Sequence, residues 1–167
     1  INTEYRSNGY VETKQQKELR EYFLNNDKNI ICLSAPTSFG KSSLIIDHIN
    51  KNICKSKKIA IIVPTKSLLT QTLINLRKKV KDIKIIIYDD MYNGEDSFIA
   101  VFTQERALRF LSNKNIGFDI VYVDEAHDIF EKSGRAQLLC RFLKLNAIKN
   151  ANQKLIFISP FIDCPDN

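Results

Sequence analysis

Ile30-Ile31-Cys32-Leu33-Ser34-Ala35-Pro36-Thr37-Ser38-Phe39-Gly40-Lys41-Ser42 is the stretch on which the fold turns. A short apolar run rich in β-branched residues opens into a loop holding Pro and Gly. A periodic run then follows, Ser42–Ile53, with Leu44, Ile45, Ile49 and Ile53 as its apolar positions. Strand, loop, Gly-Lys-Ser, helix is the context in which this motif has physical meaning, because loop amides and a helix N-terminus converge on one anion site. Lys41 adds a positive charge within reach of terminal phosphates, and Ser42 sets a hydroxyl where Mg²⁺ would bridge them. The loop opens on Ala35, where the general pattern has Gly.

Working outward, apolar β-rich runs alternate with helical patterns along almost the whole chain. The spacing predicts strands at Ile30–Leu33, Ile59–Val63, Ile83–Tyr88, Phe98–Phe102, Ile120–Val123 and Leu155–Ile158. They are short and apolar on both faces, as strands are when helices cover a parallel sheet on both sides. Helices are expected at Gln15–Leu24, Ser42–Ile53, Ser67–Val80, Gln104–Leu111 and Arg135–Ile148. Such alternation argues for an open α/β sheet with right-handed crossovers. No repeat or internal boundary interrupts it, and only Asp89–Ser97 reads as a longer loop, turned at Asn93-Gly94.

The composition agrees with that reading. The chain has 167 residues, 44% hydrophobic and 26% charged, which excludes wholesale disorder and suits one domain. Its 25 Lys and Arg against 19 Asp and Glu give a net charge of +6, which permits a polyanionic partner. No apolar run nears the roughly 18 residues a membrane helix needs, so no membrane partner is expected. The first residues lack a basic stretch followed by an apolar one, so no secretory signal is expected. Cys32, Cys54, Cys140 and Cys164 are too scattered for a zinc site or a disulfide framework. Cys32 and Cys140 fall in apolar runs, where a reduced thiol packs as a small hydrophobe. A cytoplasmic location is expected. The chain opens on Ile1 rather than Met and is read as a piece of something longer.

A second signal stands far along the chain. Ile120-Val121-Tyr122-Val123 runs into Asp124-Glu125-Ala126-His127, two adjacent carboxylates at the end of a buried strand. Open α/β sheets bind ligands at the carboxyl ends of their strands. Asp124 can hold a metal through its water shell, and Glu125 can accept a proton from water attacking a γ-phosphate. Alone, such a pair is usually a helix N-terminus stabilised by acids. With the phosphate loop, it completes the second half of one Mg-nucleotide site.

On these residues the chain resembles the superfamily 2 helicases and translocases. Ala35–Ser42 is similar to their motif I, and Val123–His127 (VDEAH) to motif II in its DEAH form. Pro64–Gln71 is similar to motif Ia and Thr103–Arg106 to motif Ib. Ser159-Pro160-Phe161 stands at motif III, and Gln15/Gln16 stand where many members keep an adenine-reading Gln. The resemblance covers nearly the whole chain. It looks most like bacterial DEAD/DEAH-type helicases of the repair and phage-defence sort.

The resemblance implies that residues 1–167 form one RecA-like P-loop NTPase lobe, a three-layer sandwich around a mostly parallel sheet. The Leu155–Ile158 strand would then lie between Ile30–Leu33 and Ile120–Val123. It implies ATP and Mg²⁺ as ligands, with Thr37, Ser38, Gly40 and Lys41 on the phosphates and Ser42 and Asp124 on the metal. Glu125 would be the catalytic base, aided by Lys41 and Asp124, with Gln16 favoured over Gln15 on adenine because Leu19 and Phe23 follow on a packed helix face. Thr65, Lys66 and Thr103 would contact backbone phosphates of a nucleic acid, DNA slightly favoured over RNA, without reading its sequence. His127 and Ser159 would couple the nucleotide site to that track. A second RecA-like lobe in the full-length chain would supply the arginines that touch the γ-phosphate, so this lobe alone is expected to be nearly inactive. Motif III departs from the usual Ser-Ala-Thr, and only Ser159 keeps a hydrogen-bonding side chain. That departure keeps two alternatives open beside the helicase: a nucleotide-switched binding module, and a duplex translocase that separates no strands.

Four further features have plainer readings. Arg77-Lys78-Lys79-Val80-Lys81 suits a helix C-terminus, with a nucleic-acid contact as the alternative, and Asp89-Asp90 a solvated loop. His48 reads as a helix-surface residue. Tyr88 and Tyr92 are packing residues unless a base stacks on them.

Overall fold

The computed structural model describes residues 6–7, 10–11, 13–36, 40–53, 57–131 and 133–160. In chain order its elements are β1 (Arg6–Ser7), β2 (Tyr10–Val11), α1 (Lys14–Leu24), β3 (Ile30–Ser34), α2 (Lys41–Ile53), β4 (Lys58–Ile62) and α3 (Lys66–Lys79). There follow β5 (Lys84–Ile86), a single 3₁₀ turn (Asp89–Met91), β6 (Phe98–Phe102), α4 (Gln104–Asn113) and β7 (Ile120–Val123). The chain ends in α5 (Ala126–Glu131), α6 (Ser133–Lys149) and β8 (Lys154–Ser159). β1 and β2 form a small antiparallel ladder, and the other six strands form one parallel sheet in the order β3-β8-β7-β4-β6-β5. β8 therefore lies between β3 and β7, as expected.

Local chemistry sets these boundaries. Thr13 caps α1: its hydroxyl accepts from the Gln16 amide, and the Gln16 side chain accepts from the Thr13 amide, a reciprocal capping box. Thr65 caps α3 by accepting from the Leu68 amide, and Arg77, Lys78 and Lys79 occupy the last turn, where cations suit the helix dipole. α5 was not foreseen, since six residues are too few for a period to register. Asn146 is fully buried, accepts from the Phe118 amide and donates to the Phe118 carbonyl, pinning the loop that leads into β7. Gly117 of that loop has no room for a side chain, because a Cβ there would lie 2.8 Å from the Asn150 Cβ.

Two cores flank the sheet. On one face α1, α2 and α3 cover an aliphatic cluster that includes Ile31, Leu33, Ile45, Ile49, Ile61, Leu76 and Val101. On the other, α4, α5 and α6 cover an aromatic one built on Phe98, Phe102, Phe110, Phe118 and Phe142. The middle strands β4, β6 and β7 are buried on both faces, as continuous apolar runs require. β3 corrects the expectation of two covered faces. Ile31 and Leu33 are buried, but Ile30, Cys32 and Ser34 are exposed, with Ile30 at 61%. The Cys32 and Cys140 thiols are exposed rather than packed as core hydrophobes; Cys54 and Cys164 lie outside the described residues. Among the described residues no helix is long and apolar enough to cross a membrane.

Candidate functional site

In a parallel sheet every strand delivers its carboxyl end to the same edge, and the candidate residues gather there. Ala35 follows β3, Asp124 follows β7, and Ser159 closes β8. Gly40, at φ +73, makes the turn into α2, whose third and fourth amides bond back to its carbonyl (Ser43 N to O 2.9 Å, Leu44 N to O 3.1 Å). Lys41 is only 6% exposed, and its Nζ donates to the Ala35 carbonyl at 3.1 Å. Thr37 and Ser38 of the expected phosphate loop lie outside the described residues.

Lys41, Ser42, Asp124 and Glu125 line one cavity of about 290 Å³. The Asp124 amide extends the ladder to the Ile62 carbonyl, and its Oδ1 accepts from the Glu125 amide at 3.0 Å. Burial raises the Asp124 carboxyl above its ordinary range, and the Glu125 charge raises it further. That same amide bond and the Lys41 charge pull the other way. Glu125 sits at φ +48, a left-handed backbone that costs a non-glycine residue about 1–2 kcal/mol. His127 Nδ1 lies 3.5 Å from Glu125 Oε2.

His127 and Ser159 are brought together as well: both line a cleft with Cys32, Ser34, Ala126 and Phe157. The Ser159 hydroxyl is turned back onto the Pro160 carbonyl at 3.2 Å, and Phe161 lies outside the described residues. Gln16 is not brought to the cavity of Lys41 and Asp124, and its Oε1 is engaged in the α1 capping box.

Two groups escaped the sequence reading. Thr72 and Asn75 line the central cavity with Leu68 and Gln71, at the i, i+3, i+4 and i+7 positions of one α3 face. The helical spacing from Leu68 was the signal that could have found them. His48 is not a surface residue: it is 2% exposed, and its Nδ1 lies 2.6 Å from the Tyr122 hydroxyl. Burial first, then the nearby Lys154 and Lys51 charges, lower its pKa to about 4, which favours a neutral imidazole sharing a hydrogen bond with the phenol. The pair ties the helix that follows Lys41 to the strand that carries Asp124.

Further along the same edge, Thr65 and Thr103 begin α3 and α4, and Lys66 is exposed at the first position of α3. Unlike Thr65, Thr103 makes no side-chain capping bond. The amide of the next residue, Gln104, is fully buried with neither its O nor its N bonded among the described residues. Asp89 is not simply solvated, since Arg109 donates to both its oxygens at 2.9 and 3.3 Å.

Known proteins share this architecture. A DEAD box protein from the hyperthermophile Methanococcus jannaschii superposes with a TM-score of 0.70 at 20% identity, over 89% of this chain and 43% of that one. The yeast DEAD-box splicing factor Prp28 gives 0.73 at 18% identity, over 94% and 43%. The DEAD-box helicase Mss116 bound to ssRNA and UDP-BeF gives 0.71 at 20% identity, over 90% and 36%. In sequence, the chain is 27% identical over 151 residues to anti-bacteriophage protein B of Escherichia coli K12. It spans only 19% of that relative's length. The family model for the DEAD/DEAH box helicases matches residues 13–160, and the chain belongs to that family.

Proposed function

We propose that residues 1–167 form the N-terminal, nucleotide-binding lobe of an ATP-driven nucleic-acid motor of the DEAH form. A second lobe of the intact protein would close over the same nucleotide. The observation that carries this reading is the meeting of Lys41 and Ser42 with Asp124 and Glu125, some eighty residues apart in sequence, around one cavity.

The donor set fits Mg-ATP. Among the described residues no cluster of three or more His, Cys, Asp or Glu would cage a metal unaided. A hard cation held by one carboxylate, one hydroxyl and phosphate oxygens needs no such cage. When bound, Mg²⁺ supplies neutralisation of the charge on the phosphate oxygens. Lys41 and the amides after Gly40 hold the phosphates, Ser42 and Asp124 hold the metal, and Glu125 takes the proton of the attacking water onto its carboxylate. Thr65, Lys66 and Thr103 grip a strand by its phosphates, with DNA the first strand to test.

The test is nucleic-acid-stimulated ATPase of the intact protein. Lys41→Ala and Glu125→Gln should each lower turnover by about 10²–10⁴-fold. Equal rates in all three proteins would overturn the motor. One observation favours the alternative of a nucleotide-switched binding module: Ser159 spends its hydroxyl on its own neighbour. In that case wild type and Glu125→Gln bind nucleotide alike and neither turns it over. Strand-release assays on the same protein separate an unwinding enzyme from a translocase.

A further inference from the structure

Tyr88 and Tyr92 lie four residues apart and have opposite surroundings. Tyr92 is packed into the aromatic core, 5.2 Å from Phe98 and 5.7 Å from Phe110 between ring centroids. Tyr88 is 52% exposed. It follows β5, the strand beside β6, at the edge where Thr103 follows β6 and Thr65 follows β4. Two strand spacings, roughly 10 Å, separate β5 from β4 along this edge.

The ring is held in place. The Arg106 guanidinium carbon lies 4.7 Å from its centroid, and Arg106 Nη1 donates to the Ile87 carbonyl at 2.6 Å. A cation over one ring face orients the ring. The neighbouring acids decide what the ring can take. Asp89 is spent on Arg109, while Asp90 and Glu105 are exposed. The exposed Asp90, two residues on, disfavours a phosphate at the ring, whereas a base offers an uncharged π-face.

We infer that Tyr88, positioned by Arg106, is a base-stacking contact for single-stranded nucleic acid, at the β5 end of the phosphate track of Thr65, Lys66 and Thr103. The inference rests on the nucleic-acid reading above and adds what that track lacks, a contact with bases. It gives the lobe a preference for unpaired over paired strands.

The experiment measures binding of the intact protein to two fluorescent single strands of equal length, an oligo-dT and the same backbone with abasic sites. Tyr88→Ala should bind oligo-dT about tenfold more weakly than wild type. It should bind the abasic strand unchanged, with the same salt slope on both. Tyr88→Trp should restore oligo-dT binding, and Arg106→Ala should show the Tyr88→Ala pattern at smaller size. Lys66→Ala, by contrast, should weaken both strands and lower the salt slope by about 1. Equal binding of oligo-dT by wild type and Tyr88→Ala overturns the stacking role, as does an equal loss on both strands. A wild-type protein that binds neither strand overturns the nucleic-acid reading, and this inference with it.

Discussion

On the α4–α6 side of the sheet, Phe98, Phe102, Phe110, Phe118 and Phe142 are all fully buried, their rings meeting in tilted, edge-on and stacked pairs at 5.2–6.4 Å. Of the two buried amides on this side, Asn146 spends both ends on Phe118, while Gln104 is uncharged and unbonded among the described residues. On the α1–α3 side the core is mainly aliphatic around Phe23 and Tyr122, and the polar groups at its edge carry charge or hold charge away. Lys41 is an ammonium almost wholly buried, Asp124 a carboxyl raised by burial, and His48 an imidazole kept neutral. One face spends its interior on packing; the other holds charges under tension for a ligand to balance.

Three measurements test that division, from the largest effect down. Phe110→Ala should destabilise the fold by about 3–5 kcal/mol in urea unfolding. Below its melting range it should leave nucleotide affinity unchanged, and a parallel loss of affinity would mean the two faces are not separate. The second concerns pH. The folded pKa of His48, about 4, lies below its ordinary 6.5, so its contribution is complete above pH 6.5 and is lost as pH falls through that window. Wild type should lose on the order of 2 kcal/mol more than His48→Gln between pH 7 and 4.5. The third has the opposite sign. A raised Asp124 pKa means its charge opposes folding at pH 7, so Asp124→Asn should raise the thermal midpoint of the nucleotide-free protein while abolishing turnover. A drop in thermal midpoint on that substitution would remove the idea of stored tension.

The legible parts of the chain were those whose signal is contiguous. Phe98–Phe102 and Ile120–Val123 were read to the residue, because strands buried on both faces are unbroken apolar runs between turn residues. Gly40-Lys41-Ser42 and Asp124-Glu125 are likewise contiguous signals, and the structure brings the two to one cavity. What stayed hidden depends on partners distant in sequence. His48 meets Tyr122 across 74 positions; it lies three and four residues after Ile45 and Leu44 on the buried face of α2, and only its polar residue type hid it. Cys32 lies in a run as apolar as any central strand, yet strand order puts β3 at the sheet margin and bares one of its faces. Ile83–Tyr88 shrank to Lys84–Ile86 for the same reason, because β5 is the opposite margin.

The backbone at Glu125 has an evolutionary consequence. Glycine and asparagine occupy left-handed geometry with far less penalty than glutamate does. On the role proposed for Glu125, selection for hydrolysis would retain the acid at a position its own main chain resists. In a lineage released from hydrolysis, drift at this site should run toward those two residues, with a gain in thermal resistance. A relative bearing glycine or asparagine there would thus carry, in a single letter, the record of a retired enzyme.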